Sequence, residues 1–152
     1  MDEEHGWHYK GKVFADLIAS GEIDLEEYQG FVYQVLERAT AKKYIGKKFF
    51  WKPKILPANS KRKRRKHSRV ESDYKTYFGS NEEVKSIVEE QGAKAYDREI
   101  LELCKTKGEC SYFESKLQFD NDVLLRDDYY NGIINCRINA SHVKNLHYNS
   151  KD

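Results

Sequence analysis

Gly30-Phe-Val-Tyr-Gln-Val-Leu36, followed after a short polar gap by Lys42-Lys-Tyr-Ile-Gly-Lys-Lys-Phe-Phe-Trp51, is the stretch on which the fold turns. The first arm is rich in aromatic and β-branched residues and reads as a strand from Phe31 to Leu36. The second alternates from Lys42 to Trp51 and reads as another. Ala39-Thr40-Ala41 supplies the turn, so the two arms form an antiparallel hairpin. A turn centred near Ala39 sets Tyr33 opposite Tyr44. Strand alternation puts Tyr44, Gly46 and Lys48 on one face.

Upstream, residues 1–9 read as a loose tail. Val13, Phe14, Leu17 and Ile18 mark a short amphipathic helix ending at Gly21, and Asp24-Leu-Glu-Glu27 caps one more turn. Downstream, Pro53 and Pro57 end the second strand, and residues 52–70 read as a mobile loop. Ser80-Asn-Glu-Glu83 is a capping box, with Ser80 as N-cap of a helix that ends at Gly92. Tyr96 to Cys104 reads as a third strand and Glu109 to Leu125 as a second main helix. The resulting fold is α/β, an α+β sandwich with a small three-stranded antiparallel sheet flanked by helices. Residues 1–29 form the tail and short helix, 30–135 the central domain and 136–152 a C-terminal tail.

The 152 residues are 34% charged, yet 11 Tyr, 7 Phe and 2 Trp are too many aromatics for a disordered chain. No apolar stretch is long enough to span a membrane. The acidic start, Met1–Gly6, lacks the apolar segment of a signal peptide. Three widely spaced cysteines, Cys104, Cys110 and Cys136, point to free thiols in a reducing, cytoplasmic setting, and no Cys-x-x-Cys spacing suggests zinc. The net charge of +2 conceals an asymmetry: residues 41–70 hold 13 Lys or Arg and no acid, leaving 14 basic and 25 acidic side chains elsewhere. A basic block in an otherwise acidic chain is the electrostatic footprint of a polyanion site. Lys47, Lys52, Lys54, Lys61, Arg62, Lys63, Arg64, Arg65, Lys66 and His67 are its candidate DNA contacts. Gly46, having no side chain, would let a phosphate backbone approach closely.

Phe31-Val-Tyr33 and Tyr44-Ile-Gly46 on adjacent hairpin arms, then Glu114 in a helix, then Asn131 in Tyr129-Tyr-Asn131, resemble the GIY-YIG nuclease family over about Gly30 to Ile134. Tyr44-Ile-Gly-Lys-Lys48, Glu71-Ser-Asp-Tyr-Lys-Thr-Tyr-Phe-Gly-Ser80 and Arg98-Glu-Ile-Leu101 resemble its small phage-encoded members related to homing endonucleases. The first triplet lacks its initial glycine, although Gly30 is adjacent. The family's arginine, usual on a helix soon after the second triplet, has no counterpart in Lys47–Pro53, so Arg69 or Arg65 is the candidate.

The resemblance implies a metal-dependent DNA endonuclease. Tyr33, aided by Tyr44, would orient or activate the water, and Glu114 would hold one Mg²⁺ (or Mn²⁺), a hard cation that keeps most of its waters. Lys48 and Arg69 would grip the phosphate, with Asn131 binding phosphate or anchoring the site. Helical spacing places Glu114, Gln118 and Asn121 on one polar stripe. The expected partner is duplex DNA, with no membrane and the oligomeric state left open. Two rivals remain: a nucleic-acid-binding module without catalysis, which the missing arginine favours, and a regulatory protein whose basic loop docks an acidic partner.

Overall fold

A computed structural model describes residues 6–56 and 66–147. The strands are β1 (Trp7–Tyr9), β2 (Lys12–Val13), β3 (Gly30–Glu37), β4 (Lys43–Phe49), β5 (Trp51–Leu56), β6 (Lys66–Glu71) and β7 (Tyr96–Cys104). The helices are α1 (Phe14–Ala19), α2 (Glu82–Gln91) and α3 (Lys107–Asp120). The main sheet runs β2-β1-β7-β3-β4, and β5 pairs with β6 in a separate ribbon. The architecture is α+β, but the sheet is mixed and has five strands rather than three. Its antiparallel side, β7-β3-β4, is the expected part. The addition is β1, which joins parallel to β7, with Trp7 opposite Arg98.

The expected N-terminal tail is therefore part of the sheet at Trp7–Tyr9. The reason is one side chain. Trp7 is 5% exposed, meets Phe31 edge-on at 4.9 Å and donates its indole N–H to the Tyr74 carbonyl at 2.7 Å. A buried indole with a satisfied N–H is enough to fix three residues of backbone.

β3 lies between β7 and β4 and is almost wholly buried, which explains its nearly unbroken apolar run. One face carries Phe31, Tyr33 and Val35 and is covered by α1, α2 and the aromatic segment after β6, through Phe14, Phe50, Tyr74 and Val84. The other carries Val32 and Ile45 and is covered by α3, through Cys110, Phe113 and Leu117.

The long second strand breaks at Phe50. This side chain is fully buried, between Phe31 at 4.8 Å and Tyr74 at 4.9 Å, and its amide N–H turns back to the Gln29 carbonyl. The flanks of the predicted mobile loop are then paired strands, Trp51 opposite Glu71 and Pro53 opposite Arg69. Pro53 does not end the strand. A two-stranded ribbon has free edges, where a residue without an N–H and a row of lysines are tolerated. The candidate contacts Lys61, Arg62, Lys63, Arg64 and Arg65 lie outside the described residues.

Asn81, not Ser80, caps α2: its side-chain oxygen accepts from the Glu83 and Val84 amides. The Ser80 hydroxyl is engaged instead with Tyr44 at 3.2 Å. α3 starts earlier than predicted, with Thr106 as N-cap, and stops at Asp120, where Asn121 turns its amide N–H back to Leu117 and Phe119. The C-terminal segment is not a loose tail as far as it is described. Ser115 donates to the Asn135 carbonyl, and a short 3₁₀ turn at Ala140–Val143 packs on α3. Gly108 has no side chain because the His142 backbone lies where one would be, 2.8 Å from an added Cβ.

Candidate active site at the β4 edge

Tyr33 and Tyr44 share a face but are not directly opposite. Tyr33 pairs with Gly46 and Val35 with Tyr44, so the tyrosines are diagonal neighbours with ring centroids 6.3 Å apart. The turn is centred between Ala39 and Thr40, one residue beyond the point that a direct Tyr33–Tyr44 pair needs, which moves every cross-strand partner by two positions and so keeps the shared face.

This register sets the Tyr33 ring directly over Gly46. A Cβ on Gly46 would lie 2.6 Å from the Tyr33 hydroxyl and 2.9 Å from Tyr44 Cε2. Gly46 thus makes room for the two tyrosines, and the space expected for a phosphate is filled by them. A second glycine closes the other side. Gly79, at φ +118°, would place a Cβ 3.2 Å from the same hydroxyl and 3.5 Å from Tyr44 Cδ2. Tyr77, edge-on to Tyr33 at 5.9 Å, completes the enclosure. The segment Tyr77–Ser80 therefore roofs the tyrosine pair.

Arg98 holds that roof. It is 5% exposed, sandwiched 4.6 Å from the Trp7 ring and 4.2 Å from the Phe78 ring, and donates to the Tyr77 carbonyl at 2.8 Å. Desolvation lowers this guanidinium to about 10, still charged at neutral pH.

Glu114 reaches the cluster from the opposite face of the sheet, around the β4 edge. Among the described residues β4 has no strand on its outer side: a backbone bridge to Tyr129 satisfies Lys43, and polar side chains satisfy the edge further along. Asn131 accepts from the Ile45 amide at 3.1 Å and donates to the Ile45 carbonyl at 2.9 Å, while Gln118 donates to that same carbonyl. The Glu114 carboxylate takes the next position, accepting from the Lys47 amide, with the Lys47 ammonium 3.8 Å away. Asn131 and Gln118 are thus edge anchors, and the expected polar stripe of α3 is real for Glu114 and Gln118. Asn121 instead donates to the Leu117 carbonyl.

The electrostatics distinguish the groups. Burial pushes the Tyr33 phenol well above its ordinary value, and Tyr77 and Tyr44 add to the rise. Burial also raises Tyr44, with the Ser80 hydrogen bond opposing it. The charge of Glu114 is felt at both phenols and raises both. Glu114 is itself raised by burial, while the Lys47 ammonium and amide pull it back.

Lys48 projects from the tyrosine face and is held at 2.7 Å by Asp73 and 4.2 Å over the Tyr77 ring. Arg69 pairs with Glu26 at 2.7 Å and lies 4.4 Å over Trp51, contacts that tie it to the ribbon rather than to the tyrosine pair. Lys66 and His67 lie on β6, while Lys52 and Lys54 are exposed on β5. Asp73, Tyr77 and Gly79 lie in the quoted Glu71–Ser80 stretch and Arg98 opens the quoted Arg98–Leu101 stretch, but none of the four is among the sequence-predicted site residues.

No group of three or more His, Cys, Asp or Glu that could hold a metal occurs among the described residues. A hard cation needs fewer protein ligands, because waters and substrate phosphate fill the remaining positions. Glu114, partly exposed at 17% and with its charge felt at both phenols, fits that kind of site. Among the described residues no helix is long and apolar enough to cross a membrane.

Residues 7–134 match the family model described as "Putative endonuclease segE, GIY-YIG domain". Neither a curated protein nor a solved structure matches the chain.

Proposed function

The chain belongs to the GIY-YIG endonuclease family, and from that premise we propose that it hydrolyses phosphodiester bonds of duplex DNA in a metal-dependent reaction. The observation that carries the reading is the meeting of Tyr33, Tyr44 and Glu114 at the β4 edge from opposite faces of one sheet. They share electrostatic contact there, with two glycines that leave no room for any other side chain.

Tyr33, kept neutral by burial, orients the attacking water rather than deprotonating it as a phenolate. Tyr44, more exposed and anchored to Ser80, lines the water's approach. Lys48, fixed by Asp73 and Tyr77, supplies the cationic contact to the phosphate that an arginine would otherwise make. Glu114 holds one Mg²⁺ or Mn²⁺, whose chemistry there is to neutralise charge on the phosphate and leaving oxygen. Lys47 keeps the Glu114 carboxylate ionised and placed. Asn131 positions the β4 edge and does not touch substrate. One site makes one cut per visit, so the product is a nick or a sequential double-strand break, made in the cytoplasm of the cell.

The near-complete burial of Tyr33, 1% exposed, favours a second reading, a DNA-binding module without catalysis. Supercoiled plasmid separates the two. Mg²⁺ titrated against an EDTA control should give relaxed or linear product only with metal. A retarded band without product at every metal concentration would favour the binding module.

A further inference from the structure

Beside the tyrosine cluster a groove of about 290 Å³ opens between β4, β5 and the start of α3. Its floor is Phe49 and Trp51, and its rim is Lys47, Lys48, Lys52 and Lys107. Two of these lysines are steered by the floor: the Lys47 and Lys107 ammoniums stand 6.0 and 5.5 Å from the Phe49 ring centroid. Their alkyl stems come from a strand and a helix 60 residues apart in sequence, so their convergence is a property of the fold. Only one carboxylate lines the groove, Asp73; it pairs with Lys48 at 2.7 Å, and Lys52 acts on it only from beyond ion-pair distance. Lys47 has Glu114. Lys52 and Lys107 have no carboxylate within ion-pair distance among the described residues.

Resting on the nuclease reading, we infer that this groove is a backbone subsite, where Lys52 and Lys107 take phosphates flanking the scissile one on the DNA strand being cut. Cations without an ion-pair partner on a concave, partly apolar wall concentrate field toward an anion, and an aromatic floor orients their stems without competing for it. The groove shares Lys47 and Lys48 with the cluster, so a strand lying in it continues directly onto the tyrosine pair. Lys107 stands well outside the basic block of residues 41–70, so composition gives no hint of it.

The test is fluorescence anisotropy of the full chain with a labelled duplex in EDTA, over a range of salt. Three proteins are compared: wild type, Lys52→Gln/Lys107→Gln, and the charge-matched Lys85→Gln/Lys94→Gln, whose lysines lie on and after α2. Circular dichroism checks that each is folded. Two lost phosphate contacts lower the slope of log K against log salt by about 1.8. Between 50 and 200 mM salt the wild type and the charge-matched control should then each lose about 12-fold more affinity than the groove variant. An unchanged slope in the groove variant, or an equal drop in the control, overturns the inference and leaves the nuclease reading standing. Wild type that fails to bind duplex DNA overturns the nuclease reading, and this inference with it.

Discussion

Gly46→Ala probes the tightest point of the site. The added Cβ would fall 2.6 Å from the Tyr33 hydroxyl, 2.9 Å from Tyr33 Cζ and 2.9 Å from Tyr44 Cε2. The Tyr33 ring cannot retreat. Trp7 lies behind it at 5.5 Å, Phe31 at 6.0 Å, Tyr77 at 5.9 Å, and Gly79 closes the far side of the hydroxyl. Overpacking of an enclosed core costs about 1–3 kcal/mol. For a domain of this size that lowers Tm by roughly 2–12 °C, read by circular dichroism melts. Cutting should fall further than stability, because a displacement of the reacting group by about 1 Å can cost on the order of 100-fold in rate. Tyr33→Phe removes the atom nearest the new methyl. The double variant should therefore be more stable than the sum of the singles by at least about 0.5 kcal/mol. A Gly46→Ala protein with wild-type Tm, or strictly additive singles, would refute the claim that Gly46 serves the tyrosine pair.

Asn131→Ala leaves the Ile45 amide with no partner at the β4 edge, while the Ile45 carbonyl keeps Gln118. A buried unsatisfied donor costs about 1–3 kcal/mol, measurable by urea denaturation. DNA affinity should be preserved, since Asn131 is 8% exposed and faces the protein. Glu114 must be ionised to hold a cation, and burial raises it. The acid limb of the pH–rate profile should therefore lie above the ordinary carboxylate range, and Lys47→Met should move it higher still; a limb that moves down would contradict the assigned role of Lys47. Activity should show no limb attributable to Tyr33 ionisation up to about pH 10, because burial raises that phenol above its ordinary value. Arg98→Met removes the donor to the Tyr77 carbonyl and the cation between Trp7 and Phe78. It should destabilise by about 1–3 kcal/mol, and in the folded fraction cutting should fall more than DNA binding.

Local signals in the chain located the hairpin, the short helix after Val13, the helix before Gly92 and the strand from Tyr96, since periodicity and caps act over a few residues. Thr106 and Glu109 stand in capping-box spacing and could also have placed the start of α3. What was illegible depends on distant partners. β1 is three residues long, too short for a pattern, and its mate β7 lies some 90 residues on. β5 and β6 are masked by lysines and a proline, which strands usually exclude but a ribbon edge accepts. The pairing of Tyr33 and Tyr44 was legible as a shared face, but their diagonal offset depended on one residue of turn geometry. The roof over them was invisible for a different reason. Arg98 stands in a stretch quoted for its family resemblance, but only the fold reveals it packed between Trp7 and Phe78.

The central claim is that Tyr33, Tyr44 and Glu114 form one catalytic site at the β4 edge. Plasmid nicking in Mg²⁺ by wild type, Tyr33→Phe and Glu114→Gln, with duplex affinity measured in parallel on the same preparations, tests it most directly. The account predicts that wild type nicks, that both variants lose nicking, and that their DNA affinity stays within a few-fold of wild type. Full nicking by either folded variant, or a loss of activity matched by an equal loss of affinity, would contradict it.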